Sequence, residues 1–291
     1  MSVARSTAVA VVVLVLTHSL ASTTDAIRVV TTARAIQQGE VVLFTARADA
    51  PIEALRARAF DREVPTFRVD ARTWQAVLGI DLDTPPHSYA VSFDGQVEGQ
   101  DARATITLVV RKRLFATRSL RVDDAFVNPP RPTLERIASE AAELATTFEQ
   151  ATPSRRWGDA FVRPAQALAT SSFGVRSIFN GAPRQPHGGT DFPGPVGTPV
   201  VAPGGGRIMV ARDLYFTGNT VVIDHGLGVF SLLAHLSVLE VAVGDEVAAG
   251  QRVGQMGSTG RVTGPHLHWA VRVGSARVDP LAMLATMGVM P

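Results

Sequence analysis

Two histidines stand two positions apart in the stretch Gly264-Pro265-His266-Leu267-His268-Trp269, near the C-terminus. Trp269 and the valines that follow it predict a β-strand, because aromatic and β-branched residues favour strands. Residues i and i+2 of a strand point to the same face, so His266 and His268 direct two imidazoles into one space. Such a pair suits a zinc site or an acid–base site. An isolated His-x-His is more often a surface feature, so the interpretation needs a second cluster elsewhere.

Two upstream segments offer further polar side chains. Pro186-His187-Gly188-Gly189-Thr190-Asp191-Phe192 carries an imidazole and a carboxylate four positions apart, and its glycines let the backbone turn so that both converge on one ion. His235 follows an apolar strand segment, where a lone histidine usually belongs to the core. Two histidines and one aspartate would make a three-ligand site with a position open for water, as in catalytic zinc sites. Two histidines would remain for proton transfer, and His225, in a predicted turn, is assigned a structural role.

The C-terminal part carries a series of short motifs between residues 171 and 283. They are Phe173-Gly174-Val175-Arg176, Asn180-Gly181, His187-Gly188-Gly189-Thr190-Asp191-Phe192, Gly197-Thr198-Pro199-Val200, Gly218-Asn219, His235-Leu236-Ser237, Gly257-Ser258-Thr259-Gly260 and Gly264-Pro265-His266-Leu267-His268. In their order and spacing these motifs resemble those of the lysostaphin-like (LytM-type) zinc metallopeptidases of cell walls.

The resemblance implies a role for each matching residue. It implies one zinc ion with three ligands, namely His187, Asp191 and His268. It implies two residues that do not bind the metal but move a proton and polarise the substrate, namely His235 and His266. Tyr215 matches a tyrosine that in the family helps to stabilise the transition state. Every ligand position fits the pattern, which argues against the inactive members of the family.

The composition indicates a globular chain. Its 291 residues are 46% hydrophobic and 19% charged, and the length allows roughly two domains. The formal net charge is +2 and the isoelectric point is about 9.6, with Lys112 as the one lysine among many arginines. The arginines are scattered, so nucleic acid is not a predicted partner. The charge predicts no more than a mild attraction to an anionic polymer or surface.

Residues 1–26 have the order of a secretory signal peptide. A short positive region precedes an apolar run at 7–16 and small residues that allow cleavage after Ala21 or Ala26. The run is shorter than the roughly 20 residues of a spanning helix, so no stable membrane span is expected after cleavage. The alternative is an uncleaved N-terminal anchor. The absence of cysteine excludes disulfides and a lipid-anchored cysteine. The expected location is periplasmic or secreted.

Residues 27–122 are predicted to form an immunoglobulin-like β-sandwich, because strand-like segments recur at roughly ten-residue spacing. The candidate strands are Val41-Val42-Leu43-Phe44-Thr45, residues 73–80, residues 88–93 and the alternating residues 104–110. Asp94-Gly95 is predicted to be a hairpin turn. His87 lies in a predicted loop and is given no role in the site.

Residues 123–170 are predicted to be a proline-rich and helical linker. The prolines of Asn128-Pro129-Pro130-Arg131-Pro132 block helix and sheet, and Thr133 can then cap a helix. Apolar residues recur after it at spacings of three and four, which predicts one apolar stripe that packs against a neighbouring domain. The stripe consists of Leu134, Ile137, Ala141, Leu144 and Phe148.

Residues 171–291 are predicted to be the zinc metallopeptidase domain. The region is rich in glycine and short apolar runs, and residues 196–202 resemble residues 243–249, which suggests two related halves of a barrel-like sheet. The whole chain is therefore predicted to be all-β with a helical linker. An N-terminal immunoglobulin-like β-sandwich would precede a C-terminal LytM-type barrel-like antiparallel β-sheet peptidase domain.

The motifs and the export signal together predict an exported zinc metalloendopeptidase that hydrolyses peptide bonds in peptidoglycan stems or cross-links. Peptidoglycan is the expected partner, and a regulatory protein partner is a further expectation. The alternative is a catalytically silent peptidoglycan-binding regulator of other wall hydrolases, which the intact ligand set disfavours. A lipoyl or biotinyl carrier would need a lysine at a hairpin tip of the C-terminal domain, but the one lysine, Lys112, lies in the predicted sandwich. Histidine phosphotransfer is disfavoured by the histidine–aspartate cluster and the signal.

Overall fold

The structure, a computed structural model, describes residues 26–121, 130–158, 160–169 and 173–288. The predicted signal segment lies outside the described residues, apart from Ala26. Within the described ranges the chain is all-β apart from two helices, as the sequence predicts. Neither of these helices is both long and apolar enough to cross a membrane.

The N-terminal region folds as two four-stranded antiparallel sheets. Its strands are β1 (Arg28–Ala33), β2 (Val41–Arg47), β3 (Ile52–Ala59), β4 (Arg62–Val64), β5 (Thr66–Asp70), β6 (Thr73–Gly79), β7 (Ser88–Val97) and β8 (Gln100–Val109). One sheet has the order β1-β2-β6-β5 and the other the order β4-β3-β7-β8. Alternate residues of both sheets share one buried apolar cluster, in which Phe44 and Phe93 meet edge to face at 5.4 Å. The immunoglobulin-like type and the bounds 27–122 stay predictions.

The predicted hairpin turn at Asp94-Gly95 is wrong. Both residues lie inside β7 and pair with β8. The turn comes at Glu98-Gly99, where φ is 54° and 72°, the left-handed conformation that two-residue hairpin turns require. Gly95 is needed for a close approach instead, because a Cβ there would lie 2.6 Å from the Ala54 carbonyl oxygen.

Helix α1 (Arg131–Glu149) begins earlier than predicted. Pro130 occupies the N-cap position, no side chain caps the helix, and Thr133 already lies inside it. Proline is tolerated in the first turn because its missing N–H would have no helical partner there. Asn128 and Pro129 of the predicted linker lie outside the described residues.

The apolar stripe of α1 packs on the C-terminal region through its last two turns. Leu144 and Phe148 contact a small buried cluster that consists of Val210, Val222 and Phe230. The rings of Phe148 and Phe230 meet edge to face at 5.3 Å. Leu134, near the helix start, is 49% exposed. The predicted packing is therefore confirmed for the C-terminal end of the stripe.

A small three-stranded sheet connects the two regions. It has the order β11-β10-β9 and consists of β9 (Thr117–Leu120), β10 (Arg176–Phe179) and β11 (Ala182–Pro183). β9 pairs in parallel with β10. The end of the predicted sandwich segment therefore belongs to this sheet.

A large antiparallel sheet holds the remaining strands. They are β12 (Gly189–Pro193), β13 (Pro199–Val201), β14 (Gly206–Leu214), β15 (Gly218–Gly226), β16 (Val229–Leu239), β17 (Glu246–Val247), β18 (Arg252–Met256), β19 (His266–Val273) and β20 (Ala276–Val278). The main path runs β12-β19-β16-β15-β14-β17. Among the described strands β12 and β17 do not pair with each other, so the sheet is open rather than a closed barrel.

The two faces of the large sheet differ in what they cover. In β19, Leu267, Trp269 and Val271 point into the main core, whereas His266 and His268 point to the opposite face. The core extends beyond the predicted peptidase domain through six buried residues, namely Val41, Phe67, Val77, Trp157, Phe161 and Ala165. The sandwich, the linker segment and the large sheet therefore share one apolar core.

A buried ion cluster also joins the two regions. Glu40 and Asp279 are fully buried and are bridged by Arg34 and Arg113, with nitrogen–oxygen distances of 2.7 to 3.5 Å. Burial alone would lower the pKa of Arg34, but the two carboxylates raise it above its ordinary value. Asp279 is also the N-cap of helix α2 (Pro280–Met287). We call these four side chains the interdomain ion cluster.

Candidate metal centre and active site

Three of the predicted site residues converge on one face of the large sheet. His187, Asp191 and His268 each offer a ligand atom, and these atoms lie within 4.8 Å of one another. His187 Nε2 is 3.0 Å from His268 Nδ1, which is 2.9 Å from Asp191 Oδ1. Two imidazoles and one carboxylate are a donor set that fits a divalent transition metal and leaves coordination positions open. These three residues could therefore hold a metal ion.

The pairing of β12 with β19 places two of the candidate ligands. Asp191 lies directly opposite His268 in this antiparallel pair. A Cβ at Gly189 would overlap the Trp269 carbonyl oxygen and lie 2.7 Å from the His268 ring. Neither Gly188 nor Gly189 has a positive φ, so neither glycine is needed there for a left-handed backbone. Space for the Trp269 carbonyl and the His268 ring is what requires glycine at position 189.

The protonation states of the ligands suit metal binding. Burial alone would raise the pKa of Asp191, but its interactions with His187 and His268 hold that pKa well below its ordinary value. Burial lowers the pKa of His268, against the opposing effect of Asp191. At neutral pH Asp191 is therefore ionised and His268 is neutral, which are the forms that ligate a metal.

His266 lies beside the three candidate ligands and shares one face of β19 with His268. Its Nδ1 is 2.9 Å from the Gly264 carbonyl oxygen. A carbonyl only accepts hydrogen bonds, so in the neutral ring Nδ1 carries the proton and Nε2 has the lone pair. Nε2 is 3.9 Å from Asp191 Oδ1. A proton-accepting nitrogen therefore faces the ligand atoms.

His235 lies in the middle of β16, not at its end as the sequence suggested. Its φ of 64° is left-handed, which costs a non-glycine residue about 1–3 kcal/mol. Normal alternation is broken here, because Leu233 and Leu236 both lie in the core. The His235 ring instead lies 4.8 Å from that of His266 and 6.0 Å from that of His268. The unusual backbone thus turns this imidazole toward the site.

Two backbone carbonyls orient His235 and His266. We call the three candidate ligands His187, Asp191 and His268 the metal group. His235 Nδ1 donates to the Thr259 carbonyl oxygen at 2.9 Å, as His266 does to Gly264. Burial lowers the pKa of His235 to about 4, so the ring is neutral at pH 7 with its lone pair on Nε2. Sequence reasoning missed the roles of the Thr259 and Gly264 carbonyls, because residue identity does not reveal where a backbone carbonyl points.

Tyr215 lies on the connection between β14 and β15. This connection is hydrogen-bonded to the His235 backbone. The His235 backbone N–H donates to the Thr217 carbonyl on this connection at 2.8 Å. On the other side, the Tyr215 backbone N–H donates to Glu140 Oε2 of α1, also at 2.8 Å. Glu140, outside the motifs that carry the resemblance, therefore orders the connection.

Two other histidines lie away from the site. His225 is fully buried, where Nδ1 donates to the Gly205 carbonyl oxygen at 2.8 Å and Nε2 accepts from Ser231 Oγ at 2.9 Å. Burial lowers its pKa to about 4. His87 meets the Tyr89 ring edge to face at 5.7 Å in the sandwich. Both histidines are accounted for by packing and hydrogen bonding.

The sequence of this region matches a known family. The model of peptidase family M23 matches residues 185–280, which include the three metal-group residues, Tyr215, His235 and His266. Residues 185–280 are a peptidase family M23 domain. The LytM-type resemblance of the motifs is thereby confirmed.

Curated relatives share this M23 domain. Peptidoglycan DD-endopeptidase ShyA of Vibrio cholerae is 46% identical over 96 residues, which are 33% of this chain and 22% of ShyA. DD-carboxypeptidase/endopeptidase Mpg of Neisseria meningitidis is 43% identical over 97 residues, again 33% of this chain and 22% of Mpg. The matches thus span about a fifth of the length of these relatives.

A solved structure shares more of the fold. A Pseudomonas aeruginosa protein described as an M23 peptidase aligns with a TM-score of 0.67 and 29% identity. The alignment covers 87% of this chain and 96% of the other. The likeness therefore extends beyond the M23 domain to most of the chain.

Proposed function

We propose that this protein is an exported zinc metalloendopeptidase that hydrolyses peptide bonds in peptidoglycan stems or cross-links. The observation that carries the proposal is the convergence of five side chains in an M23 domain, namely His187, Asp191, His235, His266 and His268. ShyA and Mpg are named as enzymes of peptidoglycan or as endopeptidases, which supports a wall peptide as the substrate.

The metal group would bind one zinc ion through His187, Asp191 and His268, as catalytic zinc sites do with three protein ligands. When bound, zinc supplies a Lewis acid that polarises the scissile carbonyl and makes water acidic enough to attack near neutral pH. The carboxylate and the two neutral imidazoles leave this centre with a net positive charge. That charge favours an anionic transition state.

His266 is assigned the role of general base. Its Nε2 faces the ligand atoms, and Gly264 holds its Nδ1. When Nε2 takes a proton from the attacking water, the nearby Asp191 carboxylate stabilises the positive ring.

His235 starts the reaction as a neutral acceptor. Its Nδ1–H is bound to the Thr259 carbonyl, so Nε2 can donate to an oxyanion or to the leaving amine only after it has received the proton that the attacking water releases. Tyr215, on the adjoining connection, is assigned the role of stabilising the transition state through its hydroxyl.

The proposal includes the location and organisation predicted from the sequence. The signal pattern at 1–26 supports a periplasmic or secreted protein, which would meet peptidoglycan there. The sandwich at 27–122 and the linker at 123–170 would precede the peptidase domain at 171–291. A regulatory protein partner would act on this assembly.

Mass analysis of purified peptidoglycan fragments after incubation with the full chain tests the proposal. We expect fragments that have gained one water at a peptide bond, their loss with a chelator, and their return when zinc is added. Intact fragments in the presence of zinc would overturn the proposal. Tight wall binding without cleavage would instead support the silent regulator.

A further inference from the structure

A cleft of about 1040 Å³ lies on the sheet face that carries the histidines of the site. Leu232 and Ala270 of the large sheet lie at its floor, and Leu144 and Phe148 of α1 form one wall. The other wall comes from the sandwich, at residues 55–57 and 63–66. We call it the α1 cleft. Both walls lie outside the M23 domain at 185–280.

The α1 cleft begins next to the metal centre, at neighbours of two candidate ligands. Ala270 shares a face of β19 with His268, two residues away, and lies opposite Gly189 of β12. Gly188, the neighbour of His187, also lines the cleft. At about 3.4 Å per residue, four strand positions separate His268 from Arg272 by roughly 14 Å. A peptide with its scissile bond at the metal centre would extend along the cleft for about four residues.

Arg272 is a partly buried cation that lines this cleft. Its guanidinium carbon lies 4.5 Å from the centroid of the Phe148 ring, which holds the side chain beside α1. Within the described residues it forms no ion pair, whereas the nearby Arg277 is bound to Asp81 and Asp83. Burial lowers the pKa of Arg272 and the charge of Arg277 adds to that effect, while the charge of Asp81 opposes it. An anion bound at Arg272 would offset the cost of burying this charge and its repulsion from Arg277.

We propose that the α1 cleft binds the substrate peptide on one side of the scissile bond, and that Arg272 recognises a free carboxylate of that peptide. A planar guanidinium suits this task because it can donate two parallel hydrogen bonds to one carboxylate. The inference rests on the proposed peptidase function. It adds that the sandwich and α1 complete the substrate site, so specificity belongs to the whole chain.

Peptide binding to the zinc-free full chain tests the inference without hydrolysis. The probes are a tetrapeptide wall stem with free carboxylates and the same peptide with its carboxylates amidated, titrated by calorimetry. We expect the wild type to bind the free acid about ten- to a hundredfold more tightly than the amide. Arg272→Gln should bind both peptides equally and weakly. Arg103→Gln removes an exposed arginine of the sandwich and should keep the wild-type preference.

A second variant guards against a change in folding. Arg272→Lys keeps the positive charge but not the paired donors, and we expect it to retain a reduced preference for the acid. Equal binding of acid and amide by the wild type would overturn the inference, and so would an unchanged preference in Arg272→Gln. If the wild type selects the acid through Arg272 but releases no wall fragments with zinc, the peptidase function fails while the carboxylate site stands. Hydrolysis with no carboxylate preference overturns the carboxylate site alone.

Discussion

Gly189 lies where β12, which carries Asp191, packs against β19, which carries His268. In Gly189→Ala the new Cβ would overlap the Trp269 carbonyl oxygen and press on the His268 ring. We expect zinc affinity to fall at least about tenfold and the free energy of unfolding to fall by about 1–3 kcal/mol. Zinc titration and urea unfolding measure the two effects. Gly188→Ala is the matched control, because its Cβ meets no atom within 4 Å; equal losses in both variants would contradict this explanation.

His225 makes stability depend on pH below neutrality. Burial lowers its pKa from 6.5 to about 4 in the folded protein, so between these values the unfolded chain alone binds the proton. Stability is therefore complete above pH 6.5 and falls as the pH drops toward 4, by about 1.4 kcal/mol per unit for this group. Urea unfolding of the zinc-free protein at about pH 7.5 and about pH 5.5 measures the change. His225→Gln should lose less stability over this interval than the wild type, and an equal loss would refute the assignment.

Single residues show what sequence can predict of the site. The family motifs picked out His187, Asp191 and His268 as candidate ligands, and imidazole and carboxylate are side chains that can bind a metal. The φ of 64° at His235 could not be predicted, since no local pattern marks a left-handed histidine inside a strand. The carbonyl of Thr259 was equally hidden, because every residue has one.

At the scale of elements, α1 and the β14–β15 connection behave as one unit. Glu140 accepts from the Tyr215 backbone N–H and pairs with Arg136 at 2.6 Å. Arg136 also reaches Asp213, at the end of β14, at 2.8 Å. The helix therefore fixes a connection that contacts His235 through Thr217.

Removing the Glu140 carboxylate tests this unit. In Glu140→Ala we expect the Tyr215 amide to exchange with deuterium about ten- to a hundredfold faster, because it loses a charge-assisted hydrogen bond. We also expect kcat/KM for wall peptides to fall while zinc content stays at the wild-type level. Glu135→Ala, which breaks an exposed pair with Arg131 on the same helix, should change neither quantity. Unchanged exchange in Glu140→Ala would rule out the role of α1.

The elements also show where local pattern fails. The strands predicted at 41–45, 73–80 and 104–110 from apolar runs or alternation fall on β2, β6 and β8. Asp94-Gly95 resembles a turn, but tertiary packing against β3 uses its small glycine inside a strand. The parallel pairing of β9 with β10 joins segments far apart in sequence, which no local signal encodes.

At the scale of the whole molecule, the interdomain ion cluster holds the sandwich against the peptidase domain. In Arg34→Met the buried Glu40 and Asp279 lose a shared partner, so we expect stability to fall by about 3 kcal/mol. Arg28→Met removes an exposed pair with Asp49 and should cost less than about 1 kcal/mol. Urea unfolding of both variants measures the difference. Similar values for the two would show that the cluster does not hold the regions together.

Sequence reasoning predicted the two regions but not the contacts that join them. Arg34 and Asp279 are 245 positions apart, so their bond follows from the tertiary fold alone. The shared core around Val41 and Phe67 has the same origin.

The central claim is that His268 binds the metal while His266, two residues away, moves the proton. Zinc content by mass spectrometry, with wall hydrolysis assayed on the same preparations, tests it most directly. We predict one zinc ion in the wild type, lost zinc in His268→Ala, and full zinc without hydrolysis in His266→Ala. Zinc and activity retained in His268→Ala, or zinc lost from His266→Ala, would contradict the claim.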